Sequence, residues 1–566
     1  MKVRKSVTPK EAVDQEISKT REPVTLSRRG MLQTLGGVAG ASLLGKGVVA
    51  PGRIDAAEVG PVTGAAREAE TRMRRIDAAD FQAAKPMPNL PCNGDEDLYA
   101  NRIGNFSKTL PHNALGEVDP AAYNAFLTAL GSGQAADFDA IPAGSTGKLA
   151  NPRAAYAYPL TGLDSHKSDM PAVHALNSAR QSAEAGEVYW MAVTRDVRFD
   201  RWDTDRLTIA AAEDMSSFAD FTGPREGGQI TPNTLFRGLT PGDLNGPYIS
   251  QFLFLDVPYG NASFTQKFFN PIQRDDYMGR YDVWLAIQNG APPTASNRLR
   301  SEAQYILRGR DLGEYVHGDY SYQAYLNAAL ICLSLGAFDT NPYSVAAREG
   351  GFVTFGGAAV LDLVARAAVV SLRSAWFHKW LIHRKLRPEA FGGLVHNTLT
   401  GAANYPLHPE FLNSPVLNIV SRQYRTYLLP QAFPEGSPTH PSYPAGHATI
   451  AGACVTVLKA FFDEDFVFPA PMVPRSSGVE LKPYTDTPLT LGGELNKLAS
   501  NIALGRNIAG VHWRADGDDG LVVGESMALS MLQDHLRSVV EDGAAFTLTR
   551  FDGQRVMVTA DDIVPA

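Results

Sequence analysis

The stretch Pro438-Thr-His-Pro-Ser-Tyr-Pro-Ala-Gly-His-Ala-Thr449 places His440 and His447 around a turn stiffened by proline. Pro441 and Pro444 fix φ and withhold N–H groups, and Gly446 allows a sharp turn or a close backbone approach to a bound group. The residues that follow, Ala-Thr-Ile-Ala-Gly-Ala-Cys-Val-Thr-Val-Leu-Lys-Ala-Phe-Phe, predict an apolar helix running to about Phe462. His447 then falls at a helix start, where free N–H groups and the positive dipole end favour an anion. The arrangement suits a phosphate-like oxyanion. A proline-rich turn capping an ordinary buried helix is the plain alternative.

Working outward, two more stretches carry cations and imidazole. A long helical pattern runs from Gly357 to Lys385, and its charges (Asp362, Arg366, Arg373) argue against a membrane span. It ends in Trp376-Phe-His-Lys379-Trp-Leu-Ile-His-Arg-Lys-Leu-Arg387-Pro388, and Pro388 sets Arg387 at or just past the helix end. Lys379 and Arg387 are about two turns apart, roughly 12 Å of rise, close enough for long side chains to converge on one anion. A solvated basic helix end is the alternative. Further on, Leu495–Arg506 predicts a helix, a turn follows through Gly510, and His512-Trp-Arg-Ala-Asp516 leads into a helix over about Gly517–Leu536. Arg506 is an oxyanion partner by chemistry. His512 and Asp516 meet if they share a first helical turn, and the carboxylate then holds one ring nitrogen as N–H and leaves the other free.

The chain has 566 residues, 44% hydrophobic and 20% charged, with a formal net charge of −8. No basic field points to nucleic acid, so an anion site here is a local positive pocket in an acidic protein. Three widely spaced cysteines (Cys92, Cys332, Cys454) give neither a disulfide framework nor a metal cage.

Together the three stretches resemble the vanadium-dependent haloperoxidases, most of all the algal bromoperoxidases and their bacterial relatives. The family signature is Lys, seven residues, Arg-Pro; then Pro-Ser-Gly-His; then Arg, five residues, His, three residues, Asp. This chain carries Lys379 to Arg387-Pro388, Pro444-Ala445-Gly446-His447, and Arg506 to His512 to Asp516. The motif around His440, Thr-Leu-Phe-Arg-Gly-Leu-Thr-Pro-Gly-Asp-Leu at 234–244 and Arg-Pro-Glu-Ala-Phe-Gly-Gly at 387–393 extend the resemblance over about 95–540. It implies a vanadate cofactor, with His512 as the metal ligand and Lys379, Arg387, Arg506 and the Gly446 N–H around its oxygens. It further implies His447 as the acid–base residue, His440 as a tuning histidine, Asp516 behind His512, and Lys379 as donor to bound peroxide. Hydrogen peroxide, a halide and a small organic halogen acceptor are the implied partners, and hypohalous acid the product. Ala445 replaces the family's serine. Trp376 stands on the implied halide path, where red-algal members carry arginine and brown-algal ones tryptophan; this leaves bromide against chloride or iodide open. Two rival readings are an acid phosphatase of the same superfamily, with His512 as nucleophile, and a non-catalytic periplasmic oxyanion-binding protein.

The remaining chain reads as mainly α, helix bundles with the site at helix ends and a small C-terminal β-hairpin. Ser27-Arg28-Arg29 before a Gly- and Ala-rich apolar run resembles a twin-arginine export signal over 1–57, so a periplasmic or secreted product without a membrane span is expected. Residues 58–92 read as a linker or wrapping arm, 93–340 as an N-terminal helical part and 341–566 as a C-terminal helical part holding the site. Within these, Asp119 caps a short helix stopped by Gly131; helices follow at about 174–195 and 205–221; the run after Phe236 leads into another; 257–296 look irregular; and Asp311–Leu335 is one long helix. Asp552-Gly553 between alternating runs predicts a type I′ hairpin. The resemblance hints at a homo-oligomer.

Overall fold

A computed structural model describes residues 64–339, 342–344 and 346–566. The export signal lies outside the described residues. The chain divides into two compact units, 1–70 and 71–566. Of the first, only the opening turns of helix α1 (Gly64–Ala84) are described.

The second unit is mainly helical. Its principal elements are α2 (Pro120–Ser132), α3 (Ala179–Thr194), α4 (Arg206–Ser217), α5 (Tyr281–Gln288), α6 (Gly309–Gly318), α7 (Gln323–Leu335), α8 (Gly357–Phe377), α9 (Pro388–Thr400), α10 (Pro415–Tyr424), α11 (Gly446–Phe461), α12 (Leu491–Ile508) and α13 (Arg514–Ser538). Small antiparallel sheets complete it: β1 (Val257–Tyr259) with β2 (Ala262–Phe264), β3 (Met472–Pro474) with β4 (Leu481–Pro483), and β5 (Phe546–Thr549), β6 (Arg555–Val558) and β7 (Ile563–Pro565) in that order. Among the described residues no helix is long and apolar enough to cross a membrane.

Helix α11 is the hub, packed on α13, α8 and α12, with every residue buried except His447. Glycine sets how near its neighbours come. A Cβ at Gly524 would lie 2.1 Å from the Thr449 carbonyl oxygen, and one at Gly452 would lie 2.1 Å from that of Leu521. Backbone-to-backbone contact between α11 and α13 therefore requires both glycines, and it brings the two helix N-termini to one point.

Several expectations need correction. The helix at 311–335 is two helices, broken after Gly318. The run after Phe236 forms only a short 3-10 turn, Gln251–Leu253. The irregular 257–296 segment holds the β1–β2 hairpin and α5. Asp119 caps α2 through the Ala122 N–H as expected, but the helix passes Gly131 and stops at Gly133, whose φ of 66° is left-handed. The β5–β6 turn is wider than a two-residue type I′: Gly553 N donates to Arg550 O, Arg550 N to Gln554 O, and only Gly553 has positive φ (86°). That is a three-residue loop with glycine at the left-handed position. The helix from Gly357 does not run on to Lys385. It ends at Phe377, passes into a π-helical turn, His378–His383, and reverses at Arg384 in left-handed conformation.

Candidate active site

The π-turn decides where Lys379 goes. Its wider turn swings Lys379 inward, and the ammonium donates to Pro441 O (2.7 Å) and Ser442 O (2.6 Å) in the proline-rich turn. Eight residues on, Arg387 is the N-cap of α9, with Pro388 as that helix's first residue. Its Nε donates to His440 O at 2.9 Å and Nη1 to Val511 O at 2.8 Å; Nη1 also faces His512 Nε2 and Nη2 faces His440 Nδ1, both at 2.9 Å. Arg506, in the last turn of α12, donates to Val316 O at 2.7 Å and lies over the Phe433 ring. Its Nε is buried with no hydrogen-bond partner among the described residues. Lys379, Arg387 and Arg506 are all buried, and among the described residues none forms an ion pair with a carboxylate.

That much uncompensated charge shows in the titration of each group. Burial, then Arg387, pulls Lys379 well below the usual lysine range. Burial brings Arg387 down to about 9 and Arg506 to about 10. An anion among them would remove the cost of three buried, unpaired cations. By contrast, no cluster of three or more His, Cys, Asp or Glu among the described residues is placed to cage a metal cation.

His512 and Asp516 meet as their spacing predicts, across the first turn of α13: Nδ1 lies 2.7 Å from Asp516 Oδ2. The same oxygen accepts from Trp513 N (3.0 Å) and from the Ser442 hydroxyl. Burial outweighs these donors and raises the Asp516 carboxyl. His512 is held well below its usual pKa by burial and then by Arg387. It is thus a neutral imidazole with Nδ1–H toward the carboxylate and the Nε2 lone pair toward the cations.

His447 is the second residue of α11, and its side chain remains 31% exposed, so the pocket opens to solvent beside it. Its Nε2 lies 3.2 Å from Asp319 Oδ1, and burial followed by Arg506 lowers its pKa. His440 is buried; burial and Arg387 hold it neutral, and its ring packs on Trp376 at 4.7 Å between centroids. Gly446 sits in tight space rather than in a special turn: a Cβ there would lie 3.1 Å from Leu372 and 3.3 Å from Trp376 of α8. Ala445 is the buried N-cap of α11, with no side-chain cap.

The sequence-predicted set (Lys379, Arg387, His440, Gly446, His447, Arg506, His512, Asp516, Trp376) therefore converges. Asp319, Ser442 and Phe433 were not singled out. Ser442 lay inside the opening motif; Asp319 is a loop residue more than a hundred positions from His447 and carried no signal. Apart from Arg387, the two longer motifs are scaffold. Glu389 of Arg-Pro-Glu pairs with Lys108 at 2.6 Å and accepts from Ser437 N, anchoring the turn before His440. Asp243, at the end of the 234–244 motif, accepts from Thr240 and from Ser500 of α12.

The chain is similar to known proteins over most of its length. A family model described as the VCPO second helical-bundle domain matches residues 411–541. A vanadium-dependent bromoperoxidase of Ascophyllum nodosum is 36% identical over 83% of this chain and 88% of its own length. One from Corallina officinalis is 32% identical over 86% of this chain and 97% of its own. The homohexameric structure of the second vanadate-dependent bromoperoxidase of A. nodosum superposes with a TM-score of 0.86, at 31% identity, over 94% of this chain and 98% of that one. Relatives this similar over nearly their whole length place this chain in the vanadium-dependent bromoperoxidase family.

Proposed function

We propose that this chain is a vanadate-dependent haloperoxidase that oxidises bromide with hydrogen peroxide to hypobromous acid. The observation that carries the reading is the pocket of three buried cations without carboxylate partners, completed by a neutral imidazole whose Nε2 faces them. The residues fit an oxyanion of phosphate shape, and the orphaned Arg506 Nε is a donor such an anion would satisfy. Lys379, Arg387 and Arg506 would hold the oxygens, and the Gly446 N–H, first in α11, has no partner within its helix. His512 Nε2 would ligate the metal. Bound vanadate supplies a Lewis-acidic centre that makes peroxide electrophilic toward halide.

The chain's own part is positioning and proton handling. With Nε2–H toward Asp319, His447 presents Nδ1 as the acceptor for a proton from peroxide or water. Lys379, fixed by two carbonyls, keeps an N–H donor in place without rearrangement. Trp376 gives the same pocket an apolar wall.

Orthovanadate added to metal-free protein should raise bromide-dependent peroxide consumption from baseline, and phosphate during reconstitution should slow the gain. Phosphate-ester hydrolysis without bromide oxidation would overturn the reading in favour of a phosphatase. We also propose export by the twin-arginine route and assembly as a homo-oligomer. Replacing Arg28 and Arg29 by lysine should retain the protein in the cytoplasm, and light scattering should give a mass above that of one chain.

A further inference from the structure

Trp376 also lines a hollow of about 650 Å³, bounded by α8 and by the turn Pro152–Tyr156. Its size is that of a site for a small organic molecule. Its lining is chiefly apolar, with Val369, Leu372 and Trp376 from α8 and the ring of Tyr156 from the turn. Tyr156 is fixed by donation from its hydroxyl to Leu130 O and by packing on Gly133. Two arginines, Arg153 and Arg373, line the same hollow, and among the described residues neither forms an ion pair with a carboxylate. Arg373 donates to the Tyr158 carbonyl at 3.4 Å.

The hollow and the anion pocket share two side chains, Leu372 and Trp376. Leu372 and Trp376 line the hollow, and the same two residues pack against Gly446 while the Trp376 ring lies tilted against that of His440. An apolar hollow rimmed by two guanidinium groups, Arg153 exposed and Arg373 part-buried, fits a ring that carries an anionic group, laid against aromatic faces and bidentate at arginine.

We propose that this hollow is an acceptor subsite for aromatic carboxylates, which binds an electron-rich ring beside the place where hypohalous acid is made. The inference rests on the haloperoxidase reading for its reagent. In the step it serves, hypobromous acid delivers bromine to a ring carbon: the C–Br bond forms, the O–Br bond breaks with its pair on oxygen, and the displaced ring proton joins the hydroxide as water.

Two measurements on the full-length protein test it, with 4-hydroxybenzoate as the probe and neutral 4-hydroxybenzamide as its control. Calorimetric titration without peroxide or bromide should show saturable binding of 4-hydroxybenzoate and much weaker binding of the amide. Arg153→Ala and Arg373→Ala should each weaken binding roughly tenfold or more, and Ala154→Trp should block it, while bromide-dependent peroxide consumption stays at the wild-type rate in all three. With both compounds present under turnover, the ratio of brominated carboxylate to brominated amide should exceed that given by reagent hypobromous acid, and should fall to the reagent ratio in the double arginine variant. Wild-type protein that consumes peroxide with bromide but gives the reagent ratio and no saturable titration would overturn the subsite alone. Protein that consumes no peroxide would overturn the haloperoxidase reading, and the titration would still decide whether the hollow binds the carboxylate.

Discussion

His512 and His447 are both imidazoles of one pocket, yet their surroundings give them opposite duties. His512 is buried, its Nδ1 fixed at 2.7 Å from Asp516, so its free nitrogen is a ligand. His447 is part-exposed and paired with Asp319 at 3.2 Å, so it exchanges protons with solvent. His512→Ala should therefore lose vanadium on dialysis, whereas His447→Ala should retain it and lose about 10²- to 10⁴-fold in turnover. Metal analysis beside rate measurement checks this, and equal metal loss in both variants would reverse the assignments. Ala445 sits as an uncapped N-cap in the same turn. Ala445→Ser should raise thermal stability by about 1 kcal/mol if its hydroxyl caps α11. If the hydroxyl turns to the oxyanion instead, it should tighten vanadate by about 10-fold or more. A variant unchanged in both melting temperature and vanadate Kd would show that position 445 is silent. The residues that carry charge or imidazole toward the anion were legible because their chemistry is rare in apolar helices. Asp319 and Ser442 were not, because an aspartate in a loop and a serine between prolines are ordinary until folding places them at His447 and Asp516.

At the scale of elements, the site depends on how helices end. Periodicity in the sequence shows α11, α12 and α13, since apolar residues recur at helical spacing along each. It does not show the π-turn at 378–383 or the break after Gly318, because a change of hydrogen-bond register leaves composition untouched and the helical pattern resumes on either side. Both irregularities serve the pocket. The π-turn aims Lys379, and the break frees Asp319 for His447. The C-terminal turn of α6 also supports Arg506: Val316 O takes its Nη1, and His317 stacks on Phe433 at 3.8 Å between ring centroids. Burial works against charge on His317, but Glu314 at 3.4 Å and Glu435 at 2.7 Å raise its pKa to about 9. A folded-state pKa above the unfolded value near 6.5 stabilises the protein below that value, and the contribution fades as pH rises toward 9. With Glu435 half-exposed, the effect is about 1–2 kcal/mol. His317→Gln should thus be most destabilised, relative to the parent, at pH 6, with the gap closing by that amount above pH 9. Denaturant unfolding at both pH values measures it, and a pH-independent gap would show that His317 acts only by packing.

Across the whole molecule, one large apolar core draws on helices from α3 to α13, and this is why a mainly α architecture could be read from pattern alone while its outer layer could not. The segment before residue 93 illustrates the difference. Its composition is polar and alanine-rich and ends in prolines, which suggests a linker or a wrapping arm without announcing a helix; 64–84 is a helix that is exposed over most of its surface. From residue 71 onward it is tied to the last turns of α13. Arg537 lies 3.7 Å from the centre of the Phe81 ring; Gln82 Nε2 donates to Ser530 O at 3.1 Å and to Asp534 at 2.7 Å; and Lys85 Nζ donates to Gln533 at 2.8 Å. These contacts are few and local, and no periodic apolar stripe announces them. They act on the end of α13 remote from His512, which stands just before that helix begins. Each hydrogen bond contributes about 0.5–1.5 kcal/mol, so a chain starting at residue 93 should melt about 2–5 °C below one starting at residue 58. Because α13 remains packed on α11 through Gly452 and Gly524, the shorter chain should bind vanadate with unchanged Kd. Equal melting temperatures would mean that the arm only lies on the surface, and a weakened Kd would mean that its contacts reach the pocket through α13.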